Sequence, residues 1–220
     1  MRNIVHLQKA LRLYFIMGSQ NCDKDPEDVL RKAIAGGITI FQYREKGSGA
    51  LTGEDKFVLG KKLRAICRAH NIPFIVNDDA ELALALDADG VHIGPEDEAI
   101  ERVREKVGDK IIGVSAYSLE EAKDAVNRGA DYLGVGLIFP TQTKPDAEDV
   151  HGVRIIKEIR AAGLMIPMVG IGGINATNAN EVVCAGADGV AVVSAIARAD
   201  VIVEAARNLL VAVSGAKGKS

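Results

Sequence analysis

The chain has 220 residues, of which 48% are hydrophobic, and a formal net charge of -3 at pH 7. This length accommodates one α/β barrel, while the lack of a concentrated Lys/Arg cluster argues against a nucleic-acid partner. No apolar stretch reaches the roughly 18 to 20 residues of a membrane span, and the N-terminus lacks a signal-peptide pattern, so we expect a cytoplasmic protein without a membrane partner.

Short apolar runs rich in Val and Ile alternate with amphipathic stretches along the chain. A short extension helix is predicted within residues 1–10, and a disordered tail within residues 214–220. The nearly unbroken apolar character of the runs indicates strands that are covered on both faces. In chain order, the predicted strands are residues 13–17, 38–42, 73–76, 90–93, 111–114, 132–135, 167–170 and 190–193.

The junctions that lead into these strands resemble one another. AGGITI, ALDADGVHI, NRGADYLGV and CAGADGVAV each place Gly or Asp between a helix end and the next strand. A glycine there permits the left-handed turn that ends a helix. Because the repetition indicates one βα unit used many times, the sequence predicts a single-domain α/β chain, a closed (β/α)₈ TIM barrel, over residues 1–220.

Polar side chains gather where the apolar strands end, which in a parallel barrel is one rim. Arg44 and Lys46 follow the second strand and suit a pyrophosphate, although a solvated surface pair is the alternative. Asp78 and Asp97 follow the next two strands, and Mg²⁺ prefers oxygen ligands and takes one or two carboxylates. Helix capping explains Asp79 better and is the alternative for Asp97.

Further candidates follow strands five to eight. Ser115 is a hydroxyl at a strand end, whereas its neighbour Ser118 has the properties of a helix N-cap. The long loop LIFPTQTKPDAEDVHG carries hydroxyl groups and a lysine that could bind two anions, and long loops are often functional. Gly172-Gly173 and Val193-Ser194 suit a phosphate site built from backbone N–H groups.

The histidines and cysteines give weaker signals. Cys22, Cys67 and Cys184 are odd in number, far apart and without CxxC spacing, so they support neither a disulfide framework nor a zinc site. His92 is interpreted as a packed strand-end residue rather than a general base, and His151 lies too near a helix start to rank as catalytic.

The motifs QYREKG, VNDD, HIGPED, GVSA, GADYLGVGLIFPTQTK, GIGGI and GADGVAVVSAI occur in this order. Together they resemble the thiamine-phosphate synthase family over nearly the whole chain. The resemblance implies a (β/α)₈ enzyme that joins 4-amino-5-hydroxymethyl-2-methylpyrimidine diphosphate to a thiazole phosphate, with Mg²⁺ as cofactor. It also implies a dissociative mechanism, in which pyrophosphate leaves before the thiazole nitrogen attacks the pyrimidine methyl cation.

Carried over by motif, the resemblance implies a role for each rim candidate. The pyrimidine diphosphate would be bound by Gln42, Tyr43, Arg44, Glu45, Lys46, Asn77, Ser115 and Lys144. Of these, Arg44, Ser115 and Lys144 would be catalytic. Magnesium would be held by Asp78 and Asp97. The thiazole phosphate would be bound by Thr141, Gln142, Thr143, Gly173, Val193 and Ser194, the last ones largely through backbone donors.

Three positions depart from the family pattern. Pro95 stands where the family often has Gln, Tyr117 where it often has His, and Leu137 where it frequently has proline. None of these three residues is among the carried-over ligands. We therefore expect them to affect the fine geometry of the site and the rate of the reaction, but not which reaction is catalysed.

Three alternatives to a synthase remain open from the sequence. One is a thiazole tautomerase, a related barrel that isomerises the thiazole precursor. Such relatives lack some of the residues that bind the diphosphate and the metal. Another is a non-catalytic sensor that binds phosphorylated ligands at the barrel mouth. The third is a phosphosugar enzyme, which would show a recognisable acid/base pair. The sequence leaves the oligomeric state open, a homo-oligomer included.

Overall fold

The computed structural model describes residues 4–141 and 150–216. Eight parallel strands form a closed barrel in chain order, which confirms the predicted (β/α)₈ architecture. Each predicted strand overlaps an observed one, with ends that differ by at most two residues. The strands are β1 (Leu13–Met17), β2 (Ile40–Tyr43), β3 (Phe74–Asn77), β4 (Gly90–Ile93), β5 (Ile111–Ala116), β6 (Tyr132–Val135), β7 (Met168–Ile171) and β8 (Gly189–Val192).

Helices surround this barrel and supply the crossover between consecutive strands. Asp79 caps the helix that begins at Ala80 by accepting from Leu82 N at 2.9 Å, and Ser118 caps the helix that begins at Leu119 by accepting from Glu121 N at 3.1 Å, as their sequence context predicts. The helices are α1 (Ile4–Ala10), α2 (Pro26–Gly36), α3 (Gly53–Ala69), α4 (Ala80–Ala85), α5 (Ile100–Val107), α6 (Leu119–Asn127), α7 (Arg154–Ala161), α8 (Ala179–Cys184), α9 (Ser194–Ala197) and α10 (Ile202–Ala216), with a 3₁₀ turn at Ser19–Asn21.

Alternation along the strands divides the apolar side chains into two cores. Phe15, Phe41 and Phe74 point outward and pack between the sheet and the helices. Tyr14 and Tyr132 point inward and belong to the cluster that fills the barrel interior. The direction in which a strand residue points therefore decides whether it can reach the barrel mouth.

Three aspartates hold the amino ends of alternate strands in place. Each carboxylate accepts a hydrogen bond from the backbone N–H of the residue that opens or nearly opens a strand, and each aspartate comes just before the next strand in the chain. The three contacts are Asp89 Oδ2 with Phe74 N at 2.7 Å, Asp131 Oδ2 with Ile112 N at 2.8 Å, and Asp188 Oδ2 with Met168 N at 2.9 Å.

An arginine from the helix that precedes the anchored strand, α3, α5 or α7, neutralises each of these aspartates. The ion pairs are Arg64–Asp89 at 3.3 Å, Arg104–Asp131 at 2.8 Å and Arg160–Asp188 at 3.0 Å. A threonine takes the equivalent position beside β1, because Leu13 N donates to Thr39 Oγ1 at 2.8 Å. The repeated junctions in the sequence therefore carry an anchoring side chain as well as the left-handed residue that follows the helix, which is glycine in three of them and Asp87 in the fourth.

The C-terminal helix runs further than the sequence analysis predicts. Residue 214 was expected to begin a disordered tail, but Ser214 lies within α10. Its hydroxyl donates to Leu210 O at 2.7 Å and accepts from the Arg12 guanidinium, which ties the helix to the start of β1. The prediction is wrong for residues 214–216, and residues 217–220 lie outside the described ranges.

Membrane association through a spanning helix was not expected from the sequence. Among the helices described above, none combines the length and the apolar character that crossing a bilayer requires.

We predict that Asp188→Ala lowers the free energy of unfolding by about 2 to 3 kcal/mol, because Arg160 and the Met168 N–H would both lose a partner in a largely buried setting. Chemical denaturation followed by circular dichroism measures the loss. Asp124→Ala is the matched control, since Asp124 forms an exposed ion pair with Arg128 at 3.0 Å and such pairs contribute little. Equal losses in both variants would contradict the anchoring role.

Candidate active site

Two carboxylates and one ammonium group meet at the mouth of the barrel. Lys46 Nζ donates to Asp78 Oδ2 at 2.6 Å and lies 3.9 Å from Asp97 Oδ1. These residues follow β2, β3 and β4, so three consecutive strand ends contribute one side chain each. The structure thus brings together the three residues that the sequence analysis placed on this rim.

The backbone fixes the direction of both carboxylates. Asp78 adopts a left-handed conformation with φ 62°, and its N–H donates to the carbonyl of His92 at 2.8 Å. Asp97 accepts a hydrogen bond from Gly94 N at 2.7 Å within the loop after β4, and the N-cap of α5 is Ala99. Helix capping therefore does not explain Asp97, whose carboxylate instead organises the loop after β4 and lies beside Lys46.

The charges of these groups depend on one another. Burial, together with the neighbouring Asp97, raises the pKa of Asp78 above its usual value. Burial alone would also raise the pKa of Asp97, but hydrogen bonds from the Asp78 carboxyl and from Gly94, together with Lys46, lower it. The hydrogen bond to Asp78 raises the pKa of Lys46. A pair of acids that interact this closely favours a cation beside it.

The donor set at this position fits a magnesium ion. Mg²⁺ prefers oxygen ligands, takes one or two carboxylates and completes its shell with water and substrate oxygens. In the described residues no group of three or more His, Cys, Asp or Glu side chains is arranged to hold a metal. Asp78 and Asp97 would therefore supply two ligands, which matches the chemistry of magnesium better than that of a closed zinc site.

Two residues of the QYREKG motif have structural contacts that the sequence analysis did not predict. The Tyr43 side chain packs outside the barrel, is 1% exposed, and donates from Oη to Lys56 O at 2.9 Å. Glu45 accepts from Ser19 N at 2.6 Å, from Ser19 Oγ at 2.9 Å and from Leu51 N at 2.8 Å. The Glu45 carboxylate therefore organises the loop after β2, and the binding roles of both residues stay predictions.

The other members of that motif are placed as expected near the mouth. Arg44 is partly exposed, and its backbone N–H donates to Met17 O at 3.0 Å at the end of β1. Gln42 lies deeper, at 1% exposure, and its Nε2 donates to Tyr14 Oη at 2.9 Å. Asn77 ends β3 directly opposite His92 of β4, partly exposed at the same rim.

Ser115 is linked to a histidine that the sequence analysis treated as packing. His92 Nε2 lies 3.0 Å from Ser115 Oγ, and His92 Nδ1 lies 2.9 Å from Tyr132 Oη. Burial lowers the pKa of His92 to about 4, so its imidazole is neutral near pH 7. His92 is buried as predicted, yet it also contacts a predicted catalytic residue, and Tyr132 was missed because its strand is apolar on both faces.

The opposite side of the mouth is formed by the loops after β6 and β7, which pack against each other. Ile138 N donates to Ile171 O at 2.9 Å, and Phe139 N donates to Gly172 O at 3.0 Å. Gly173 has φ 60°, and a Cβ there would collide with the carbonyl of Pro140. This close approach brings Phe139 and Pro140, the residues just before Thr141, against Gly173.

The last part of the predicted phosphate site lies at the end of β8. Val193 precedes α9 and accepts from Ile196 N at 3.2 Å and from Ala197 N at 2.9 Å, while Ser194 is exposed at the first position of that helix. The first N–H groups of a helix have no partner within it. Gln142, Thr143 and Lys144 lie outside the described residues, so their roles stay predictions.

The departures from the family pattern leave the carboxylates and Ser115 in place. Pro95 is exposed in the loop that carries Asp97, and Tyr117 N donates to Glu121 Oε2 at 2.7 Å. Leu137 is 7% exposed, and the Gly136–Leu137 peptide bond is cis.

Comparison with known proteins agrees with this arrangement. A family model described as thiamine monophosphate synthase matches residues 13–196. The thiamine-phosphate synthase of Bacillus cereus (strain AH820) is 58% identical over 208 residues, which cover 94% of this chain and 95% of that protein. The thiamine-phosphate synthase of Geobacillus kaustophilus (strain HTA426) is 57% identical over 211 residues, 96% of each chain.

A solved structure with the same fold is also closely similar. The thiamine phosphate pyrophosphorylase from Pyrococcus furiosus superposes with a TM-score of 0.86 at 40% identity, covering 96% of this chain and 98% of that one. Each of these likenesses extends over the whole barrel, including the strand ends that carry Lys46, Asp78 and Asp97. The chain therefore belongs to the thiamine monophosphate synthase family and is a transferase enzyme of thiamine-phosphate synthesis.

Proposed function

We propose that the enzyme joins 4-amino-5-hydroxymethyl-2-methylpyrimidine diphosphate to a thiazole phosphate, with release of pyrophosphate. The observation that carries the proposal is the meeting of Lys46 with Asp78 and Asp97 at one end of the barrel. A diphosphate leaving group needs cations close to its oxygens, and a second phosphorylated substrate needs a separate phosphate site. The contact between the β6 and β7 loops supports such a site around Thr141 and Gly173.

Asp78 and Asp97 would hold a magnesium ion, which when bound would neutralise charge on the diphosphate. Lys46 lies beside both carboxylates and carries a full positive charge, so its ammonium can bind a diphosphate oxygen at the same place. Arg44 starts the same loop and would add a guanidinium, which can bind phosphate oxygens through two parallel hydrogen bonds.

The reaction would be dissociative. The bond between the pyrimidine methylene carbon and the diphosphate oxygen breaks first, and both bonding electrons leave with pyrophosphate. The resulting methyl cation is stabilised by the ring amino group, and the thiazole nitrogen attacks it with its own lone pair. Donors preorganised around the leaving oxygens, Ser115 and Lys144 among them, would stabilise the charge that develops there.

No residue has to act as a general base in this scheme, because the thiazole nitrogen already carries its lone pair. The environment of His92 is consistent with a reaction that needs no general base. Its imidazole is buried, has a low pKa and lies beside the hydroxyls of Tyr132 and Ser115, so it is suited to holding Ser115 in position. The same features argue against a phosphosugar enzyme, whose chemistry would need an acid/base pair at the rim.

Pyrophosphate release tests the proposal directly. Purified enzyme, Mg²⁺ and both substrates should give equal amounts of pyrophosphate and thiamine phosphate, while omission of either substrate should abolish thiamine phosphate formation. A tautomerase would convert the thiazole precursor without releasing pyrophosphate, and a sensor would bind the thiazole phosphate without turnover. Either of these results would reject the proposed reaction.

We predict that Asp97→Asn and Asp78→Asn each raise the half-saturating Mg²⁺ concentration on the order of 10-fold to 100-fold, because each removes a charged oxygen ligand. Magnesium titrations of pyrophosphate release at saturating substrate measure the change. Asp109→Asn serves as the control, since Asp109 is exposed between α5 and β5 at the other end of the barrel. An unchanged titration in the first two variants would exclude them as ligands.

We predict that Lys144→Ala lowers kcat roughly 10²-fold to 10³-fold, the scale of losing one charge-stabilising donor. This expectation rests on the family motif. Steady-state pyrophosphate release measures it, with Lys157→Ala on the exposed face of α7 as the matched control. Near-normal turnover of Lys144→Ala would contradict the role.

A further inference from the structure

A continuous line of hydrogen bonds crosses the barrel interior and ends at the mouth. It begins at Gln42 on β2 and reaches Ser115 on β5 through three aromatic rings, so that five strands each contribute one side chain. The contacts in order are Gln42 Nε2 with Tyr14 Oη at 2.9 Å, Tyr14 Oη with Tyr132 Oη at 2.8 Å, Tyr132 Oη with His92 Nδ1 at 2.9 Å, and His92 Nε2 with Ser115 Oγ at 3.0 Å.

The interior of this line is closed to water. Tyr14 and Gln42 are 1% exposed, Tyr132 is fully buried and His92 is 9% exposed, whereas Ser115 is partly exposed at the mouth. The contacts between these groups therefore satisfy hydrogen bonds where water has little access. Ser115 is the member of the line that opens most onto the mouth, where a substrate would bind.

Two glycines provide the space for the rings. A Cβ at Gly113 of β5 would collide with the hydroxyl end of Tyr132. A Cβ at Gly134 of β6 would lie 3.1 Å from His92 Cε1 and 3.4 Å from His92 Nε2. Both glycines lie in regular strands, so the space they leave accounts for their presence better than a turn does.

The direction of donation can be traced from the end of the line at Gln42. With Gln42 Nε2 as the donor to Tyr14 Oη, the Tyr14 hydrogen is left for Tyr132 Oη. Tyr132 would then donate to His92 Nδ1. With Nδ1 as the acceptor, the single hydrogen of a neutral imidazole would be on Nε2 and would point at Ser115 Oγ.

We propose that this line holds His92 as the Nε2–H tautomer, so that Ser115 accepts from His92 and directs its own hydrogen toward the diphosphate oxygens of the substrate. This inference rests on the proposed function. His92 and Tyr132 are positioning residues, and Ser115 is the group that touches substrate. A serine that instead donated to the histidine would present only oxygen lone pairs to an anionic leaving group, which would repel it.

The tautomer of His92 can be measured without turnover. Histidine ¹⁵N labelling and long-range ¹H–¹⁵N correlation distinguish a protonated from an unprotonated ring nitrogen, and loss of one signal set in His92→Gln assigns the residue among the four histidines. We expect a protonated Nε2 and an unprotonated Nδ1 in the wild type. We expect Tyr132→Phe to weaken the preference for the Nε2–H form, because the donor that keeps Nδ1 unprotonated is gone. A protonated Nδ1 in the wild type would overturn the proposal.

Kinetics test whether the line acts through Ser115. We expect Ser115→Ala to lower kcat about 10²-fold and Tyr132→Phe to lower it about 10-fold. In the Ser115→Ala background, Tyr132→Phe should have no further effect on kcat, because its route to the substrate is already lost. Independent losses that multiply in the double variant would show that Tyr132 is merely structural and would overturn the proposal.

Two substitutions of His92, one polar and one apolar, provide a second kinetic test. Glutamine can accept from Tyr132 and donate to Ser115, whereas phenylalanine can do neither, so His92→Gln should retain at least about tenfold more activity than His92→Phe. Thermal unfolding shows which variants remain folded. If the wild type releases no pyrophosphate, the proposed function fails, while the tautomer measurement still tests the direction of the line separately.

Discussion

Every polar group that this barrel encloses needs a hydrogen-bond partner, because an unpaired buried donor or acceptor costs as much as a lost hydrogen bond. At the amino end, aspartates accept the N–H groups of alternate strands and are neutralised by arginines. In the interior, the side chains from Gln42 to Ser115 satisfy one another in a single line. At the mouth, Asp78 and Asp97 face the Lys46 ammonium. The same requirement for partners therefore holds at both ends and in the interior of the barrel, although different pairs of side chains meet it in each place.

The architecture was predictable because the sequence repeats a local unit. Four similar junctions with Gly or Asp before an apolar run predicted a closed barrel, and the eight strands were found within two residues of their expected ends. The anchoring role of Asp89, Asp131 and Asp188 was not predictable in the same way. Each carboxylate reaches a backbone N–H that lies 15 to 20 residues earlier in the chain, and that distance closes only when neighbouring strands pair.

The candidate site was predictable where an acidic or basic residue lies in the loop just after a strand, as at Lys46, Asp78 and Asp97. The outward direction of the Tyr43 side chain was not predicted, because it follows from strand alternation and not from the motif as a whole. Tyr14 and Tyr132 were missed for a related reason. When both faces of a strand are apolar, hydrophobic pattern alone does not say which residues face the interior. The polar line appeared only once the barrel was closed and inward positions could be compared across strands.

Gly113 and Gly134 have a consequence for engineering this enzyme. A mutagenesis library aimed at altered substrate preference would ordinarily randomise the polar rim and would not deliberately protect glycines within the strands. Here the volume that a glycine leaves vacant is what admits the Tyr132 and His92 rings, so side chains introduced at these two places would disturb Ser115 from inside the sheet. Libraries that keep both positions constant while varying the loops would preserve the packing of the barrel interior and place the introduced diversity at the mouth.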